Sequence, residues 1–591
     1  MKGAALSGSR DRGGDGVGVG HAMAFDLART RGIAGSAQFR LVLVVSVLLT
    51  GFAVWRATLG VNLSDDAYSI VLVQRTAQGA WPLVDEQNLQ VLGSLPAVPV
   101  AWLWLHLVGS TGLVLALRLF FVLVAGLVSL GCYRALRPDF PPAAAFAAVT
   151  VPVLALPYGL MVVSYNTVPM LATMFATCAG YAAVRRGSGR WGAASAAAAG
   201  VAVLGYPPIL PAALAIVAMV AMLSRQRRVV LSMLVAGGGV AAVVCAWLLA
   251  IGPSGLQDVL RLGEAIRRHY GPVGLPKLLS VIRYYLDELR DLSYLPLGLL
   301  VLLAVLPILP RRPRRLQVLA AGLIPFAAIL PAFTRLGPNE AGANFGVAPA
   351  QLGLLAGAAL VPAALVLGRW DGSPVPTLIR IALPAAVLGV PVLAAATASG
   401  ASRGVPVIGM TGLLAASVAG WGSVLTRHRP SASAAAAGVL VAAMAVLLAL
   451  TPFQGPYPWL LTRRVTSGVY AGIQAQPTMY RTLSNLEQVG RRWVHPGEGY
   501  LVYGVPGAYL LFPGRPVTNV AWLTAAIPEN QATLKYFARI HRRPDVILLA
   551  DAFVPRRGLT AMGRRDPLIA FTLKHYRIVD RSDGLIVFRR I

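Results

Sequence analysis

The sequence predicts a polytopic α-helical membrane protein of about 13 transmembrane helices, with a C-terminal extracytoplasmic α/β domain. Three observations carry that class. The chain is 56% hydrophobic and only 13% charged, where ordinary globular domains are about 25% charged. Apolar runs near the length of about 20 residues needed to cross hydrocarbon recur along most of it. After residue 452 the pattern changes to short β-branched and aromatic runs separated by turn residues and one amphipathic helix.

The elements follow in order. Residues 1–39 are polar and Gly-rich, too long and too polar for the start of a signal peptide, and read as a disordered cytoplasmic tail. Spans are expected at 40–58, 112–133, 142–162, 167–184, 191–205, 208–223, 229–251, 295–310, 316–333, 345–367, 377–397, 405–425 and 434–452. Arginines gather at alternate joints: 134/137, 185/186/190, 225/227/228, 311/312/314/315, 369 and 427/429. The intervening joints carry almost no charge, and this asymmetry puts the arginine joints and the tail in the cytoplasm. "LPAVPVAWLWLHLVG" (95–109) is apolar, but counting it as a span would invert every later joint. It is expected to lie in the outer interface or to re-enter. Residues 40–452 therefore form the membrane region, with outer loops at 59–111, 252–294 and 334–344.

Charge and cysteine then exclude several classes. The net charge of +29 is explained mostly by this topology, so nucleic acid is not an expected partner. Cys132, Cys178 and Cys245 lie in apolar runs without metal-ligand spacing and read as small buried residues.

The outer loops carry the candidate chemistry. "VNLSDDAYSI" (61–70) sets Asp65 and Asp66 just past the first span, in a chain with only 23 acidic residues. Carboxylates beside hydrocarbon are costly and mark a functional site by default. The bland alternative is a helix N-terminus, with Ser64 as N-cap and acids in the first turn. A helix over 67–78, stopped by Gly79, suits an interfacial position, and a second acidic pair follows at Asp85 and Glu86. The loop 252–294 holds Arg267, Arg268, His269 and Arg283, which serve as snorkelling anchors or as phosphate contacts. The loop 334–344 adds Arg335 and Asn344. Carboxylates and cations on one side of a membrane can activate a nucleophile and hold a phosphate leaving group.

The acidic pair followed by Ala67-Tyr68, then "GAWPLVDE" (79–86) and a Pro-containing aromatic stretch, resembles the C-type glycosyltransferase superfamily. Its members include protein O-mannosyltransferases, the aminoarabinose transferase of lipid A and arabinofuranosyltransferases. "VVSYNTVPM" (162–170), with Tyr165 and Asn166, and "FGVAPAQLGLLAGAAL" (345–360) are similar in place and character. The resemblance implies a membrane glycosyltransferase taking its sugar from a polyprenyl-phosphate donor. Asp65 would be the general base, and Asp66 with Asp85 or Glu86 would hold a divalent cation, Mg²⁺ or Mn²⁺. Tyr68, Tyr165, Asn166 and the loop cations would line the substrate site. Two departures stand out. Asn344-Phe345 replaces a basic or aromatic residue, and Gly93-Ser94 replaces the Glu-Lys of the aminoarabinose enzyme.

Residues 453–591 read as a small α/β domain. Strands are expected at 498–505, 544–551, 575–580 and 583–590, with a helix at 528–543. Nineteen basic against eight acidic residues give it a charge of +11, suited to membrane lipids or a polyanionic acceptor. The expected activity is inverting, metal-assisted transfer in the plasma membrane to an envelope glycan, lipid or protein on the outer face. A transporter or flippase of lipid-linked sugars would call for internal repeats and charged midplanes, neither of which is obvious here. A non-catalytic envelope-assembly subunit stays open on the residues alone.

Overall fold

The computed structural model describes residues 38–269, 274–280, 282–283, 323, 374–396, 406–428, 430–450, 457–523, 527–582 and 584–591. The first helix, α1, spans Gln38–Ala57. It is followed by α2 (Asp65–Ala77), a 3-10 segment (Leu89–Ala97), α3 (Val98–Leu107), α4 (Leu113–Leu136) and α5 (Pro142–Leu154). Next come α6 (Thr167–Arg186), α7 (Gly189–Gly205), α8 (Leu210–Leu223) and α9 (Arg227–His269). The later helices are α10 (Val375–Ala396), α11 (Pro406–His428) and α12 (Pro430–Leu450). Among the described residues, seven helical segments are long and apolar enough to cross a membrane. The protein is a multi-pass membrane protein. The expected spans at 295–310, 316–333 and 345–367 lie outside the described residues.

The segment at 95–109, expected to lie in the outer interface or to re-enter, is helical, and two other expectations need correction. The 3-10 segment and α3 together make a helical run, Leu89–Leu107, that is among the seven. Its Pro96 sits where the 3-10 turns give way to α-helix, and Pro99 occupies a first-turn position that lacks a hydrogen bond to lose. The span expected at 142–162 stops at Leu154, after Pro152, and the chain then turns through Pro157 and Gly159. The polar loop expected from 252 begins as helix instead. The chain kinks at Gly252, with φ of 77°, and α9 continues to His269. Glycine is needed at that kink, because a side chain disfavours this backbone conformation.

The remaining residues form β1 (Arg463–Arg464) and β2 (Gln474–Ala475), then α13 (Pro477–Trp493), β3 (Gly499–Tyr503) and β4 (Arg515–Pro516). They close with α14 (Ile527–Arg539), β5 (Val546–Ala550), α15 (Gly558–Gly563), α16 (Pro567–His575), β6 (Tyr576–Ser582) and β7 (Leu585–Arg590). The stretches read as strands form β3, β5, β6 and β7 in a five-stranded mixed sheet of order β4-β3-β5-β7-β6. Strands β3 and β5 pair in parallel, as do β3 and β4, while β7 runs antiparallel to both its neighbours.

Side-chain alternation along the sheet explains how it sits. Tyr500, Val502, Val546, Leu548 and Val587 join the same hydrophobic core as the membrane helices. Their neighbours Leu501, Tyr503, Ile547, Leu549 and Phe588 form a second core with α14 and α16. Successive residues of a strand face opposite sides, so one face of the sheet rests on the helical region and the other carries its own helices. Leu262, on the part of α9 beyond the kink, belongs to that second core.

Candidate active site

Helix α2 organises the site. Asp65 and Asp66 occupy its first turn, where negative charge meets the positive end of the helix dipole. Ser64 stands at the N-cap position, but its hydroxyl donates to Asn62 Oδ1 (2.7 Å) instead of capping the helix. The helix does not lie half-exposed as its sequence pattern suggests. Every residue from Asp66 to Arg75 is buried, against the 3-10 segment, α3 and the loop after β3.

Asp66 is buried and bonded by the guanidinium of Arg118, a buried residue of α4. Arg118 also donates to the carbonyls of Ala57 (3.2 Å), Leu59 (3.1 Å) and Gly60 (2.9 Å). Arg56 donates to the carbonyls of Leu59 (3.4 Å) and of Leu448 in α12 (3.1 Å). Two cations thus satisfy carbonyls at the C-terminal end of α1, which have no partner within that helix. A cavity of about 30 Å³ lies among Arg56, Asn62, Asp66 and Arg118, closed by residues 159–161 of the loop after α5. Asp66 Oδ1 is buried and has no hydrogen-bond partner among the described residues. Asp65 is half-buried, and only its own backbone N–H engages its carboxylate among the described residues. Burial, aided by the charge of Asp66, pushes its pKa up to about 6. It is therefore ionised at neutral pH yet can accept a proton, as a general base must.

Beside this cavity runs an apolar groove of about 440 Å³ between α1, α4 and α5, which includes Phe39, Leu49, Phe121, Leu130 and Val149. Met161 lines both the groove and the polar cavity. Leu448, whose carbonyl holds Arg56, also lines the groove.

At the other end of α2, Arg75 bonds Glu86 Oε2 and donates to the carbonyls of Asp85 (3.0 Å) and Thr518 (2.6 Å). Glu86 Oε2 also accepts from Ala521 N (2.9 Å). Burial pushes Glu86 up to about 7, against the pull of Arg75 and of backbone N–H groups. Asp85 accepts from Trp81 N (2.9 Å) and Tyr536 Oη (3.2 Å).

The three acids expected to share a divalent cation are therefore not brought together. Asp66 belongs to Arg118, Glu86 to Arg75 and Asp85 to Tyr536. Among the described residues, no group of three or more Asp, Glu, His or Cys side chains could hold an ion. The one unpartnered oxygen of Asp66 shares its cavity with two guanidiniums. That donor set does not fit a divalent cation, which takes several oxygen ligands.

Of the other expected residues, Tyr68 is fully buried with its ring 5.3 Å from that of Trp522, and its hydroxyl has no partner among the described residues. Burial and the charge of Glu86 hold its pKa well above the usual value. Tyr165 is half-buried with its ring 6.1 Å from that of Tyr206. Asn166 stands at the N-cap of α6, its Oδ1 buried and unpartnered among the described residues. Gly93 packs so closely on this turn that a Cβ there would collide with the Tyr165 backbone. A glycine stands where the aminoarabinose enzyme has a charged side chain because the 3-10 segment needs that space. Arg267, Arg268 and His269 end α9, and Arg283 is exposed. Arg335 and Asn344 lie outside the described residues. Arg56 and Arg118, which the sequence reading passed over, are the cations that the structure brings to the acidic pair. A lone arginine six residues into an apolar run at 112–133 was the available signal.

Residues 97–250 match the family described as dolichyl-phosphate-mannose-protein mannosyltransferase. Comparison with curated proteins gave no match. Among solved structures, ArnT from Cupriavidus metallidurans bound to undecaprenyl phosphate is 17% identical, with a TM-score of 0.44 over 94% of this chain and 98% of that one. The Archaeoglobus fulgidus oligosaccharyltransferase in complex with Zn and sulfate is 12% identical, with a TM-score of 0.41 over 93% of this chain and 73% of that one. AglB from Archaeoglobus fulgidus with an inhibitory peptide and a dolichol-phosphate is 13% identical, with a TM-score of 0.36 over 93% and 74%.

Proposed function

We propose that this protein is a membrane glycosyltransferase that moves a sugar from a polyprenyl-phosphate donor to an acceptor hydroxyl on the outer face of the membrane. The observation that carries the reading is the junction at Met161, where an apolar groove opens beside a cavity holding two guanidiniums and a carboxylate. A polyprenyl phosphate has that division, an apolar chain ending in an anion. The groove follows α4 from Phe121 to Tyr133, about 18 Å at 1.5 Å per residue, and so accommodates several isoprene units. The match of residues 97–250 to a family named for a dolichyl-phosphate-mannose donor supports the same class.

In this reading Asp65 takes the proton of the acceptor hydroxyl as its oxygen attacks the anomeric carbon. The bond from that carbon to the phosphate oxygen breaks, the electron pair leaves with polyprenyl phosphate, and the anomeric centre inverts. Arg118 and Arg56 stabilise the charge that gathers on the leaving phosphate, as preorganised donors do. Asp66 holds Arg118 in place. The arginine joints argue for a cytoplasmic N-terminus and an extracytoplasmic sheet region.

Asp65→Asn tests the base directly. The purified variant, reconstituted with radiolabelled donor and a panel of acceptors, should melt near the parent and bind donor. It should transfer sugar at least about a hundredfold more slowly. Transfer near the parental rate would remove Asp65 from the role. A parent that carries lipid-linked sugar between leaflets without transferring it would favour a transporter instead.

A further inference from the structure

A second cavity, of about 320 Å³, lies at the far end of α2, between that helix and the sheet region. Its lining includes Arg75, Gln78 and Asp85 from α2 and the turn after it, and Arg515, Tyr536 and Arg542 from the sheet region. Ten residues separate Asp65 from Arg75, about 15 Å along the helix, so this cavity is distinct from the one beside Asp66. Its volume falls at the lower end of the range of small-molecule pockets, about 300–1,000 Å³.

Charge accounting shows what it would hold. Arg75 is matched by Glu86, and both oxygens of Asp85 are taken by Trp81 N and Tyr536 Oη. Arg539, nearby on α14, is paired with Asp258. Arg515 is exposed and has no side-chain partner among the described residues; Arg542 makes one long bond, to Gly497 O at 3.4 Å. Two guanidiniums without a carboxylate partner among the described residues therefore line the cavity, together with Gln78. The backbone delivers them there. Arg515 N is fixed to Glu498 O (2.8 Å) in β4. Arg542 follows His541, which holds a φ of 50°, a left-handed conformation uncommon for any residue but glycine.

We propose that this cavity binds an oxyanion, a phosphate or a carboxylate, carried on a saccharide of the acceptor. The guanidinium fork matches such groups in a bidentate way, and the amide suits sugar hydroxyls. Calling the ligand an acceptor rests on the glycosyltransferase reading; the binding itself does not.

The test is calorimetric titration of the purified full chain with glucose 6-phosphate, glucuronate, glucose and inorganic phosphate, alongside an Arg515→Gln/Arg542→Gln variant and Asp65→Asn. The proposal expects both anionic sugars to bind more tightly than glucose and more tightly than inorganic phosphate. It expects the double variant, melting like the parent, to lose at least tenfold in affinity for them, while Asp65→Asn keeps it. Binding of glucose as tight as that of the anionic sugars, phosphate binding as tight as theirs, no binding at all, or an unaffected double variant would overturn it. If the parent binds anionic sugars through these arginines yet transfers nothing, the cavity stands and the transferase reading falls.

Discussion

Helix α2 carries a carboxylate–guanidinium pair at each end, and the two pairs are built from different parts of the chain. At the N-terminal end, Asp66 meets Arg118 of a membrane helix, in a cavity that shares Met161 with an apolar groove. At the C-terminal end, Glu86 and Arg75 are laced to Thr518 and Ala521 of the sheet region, hundreds of residues away in sequence. The chemistry of the pairs is the same and their settings differ. The first leaves a neighbouring carboxylate, Asp65, with no partner beyond its own backbone among the described residues. The second absorbs both of its acids into hydrogen bonds that fasten one segment to another. Carboxylates in tandem are thus a poor guide to function until their partners are known: one pair keeps an acid outside any ion pair among the described residues, and the other is taken up in contacts that join segments.

The largest effect should come from breaking the first pair. Arg118→Met leaves Asp66 charged and buried and strips the carbonyls of Ala57 and Gly60 of their guanidinium donor. It should destabilise the protein by about 3–5 kcal/mol and abolish transfer, as read by melting in detergent and by the radiolabel assay. The double change Arg118→Met/Asp66→Leu should recover most of the stability, since an apolar pair replaces a buried ionic one at little cost, but none of the transfer. Recovery of both would mean that this pair is structural too, and the contrast between the two ends of α2 would collapse.

Glu86→Gln should act more mildly, costing about 1–3 kcal/mol with transfer nearly kept, and it has a pH signature. Glu86 has its folded pKa raised from 4.5 to about 7, so the folded state holds that proton more tightly than the unfolded chain does. The associated stability is complete below about pH 4.5 and is lost as pH rises through about 7. Melting curves of the parent across that window should show the decline, and Glu86→Gln should flatten it. An equal slope in both proteins would mean that Glu86 stays ionised beside Arg75.

The smallest effect expected is on the parent itself. In the proposed reaction Asp65 must be ionised to act, and its pKa is raised to about 6. Transfer should hold a plateau above that value and fall about tenfold per pH unit below it. A profile flat down to pH 4 would show that no group with this pKa limits the rate.

Much of the architecture was legible in the residues. Alternating arginine joints and apolar runs mark the helices, and period-two β-branched stretches mark β3, β5, β6 and β7. Boundaries failed where proline and glycine act locally: the loop after α5 and the kink at Gly252. In the site, Asp65 and Asp66 stood out because acids are scarce in this chain. Arg118 did not, because one arginine in an apolar helix looks like any snorkelling side chain until its partner is known. A ligand role for Asp85 and Glu86 is implied by the family resemblance alone, and the residues fit an ordinary solvated turn equally well. Only the fold shows that one turns to Tyr536 and the other to Arg75 and Ala521, and Tyr536 and Ala521 lie more than 400 positions from these acids.

The shared face of the sheet has a consequence for biogenesis. The apolar side of β3, β5 and β7 belongs to the same core as the membrane helices, yet these strands leave the ribosome after the last of those helices. Until β7 pairs with β5, the inserted bundle shows the aqueous side a greasy platform, with α2 and Arg75 open to water. A nascent chain in that state is a ready client for holdases and membrane proteases. The Arg75–Glu86 end of α2 is therefore completed only after Thr518 and Ala521 have been made, whereas the Asp66–Arg118 end is in place once α4 is.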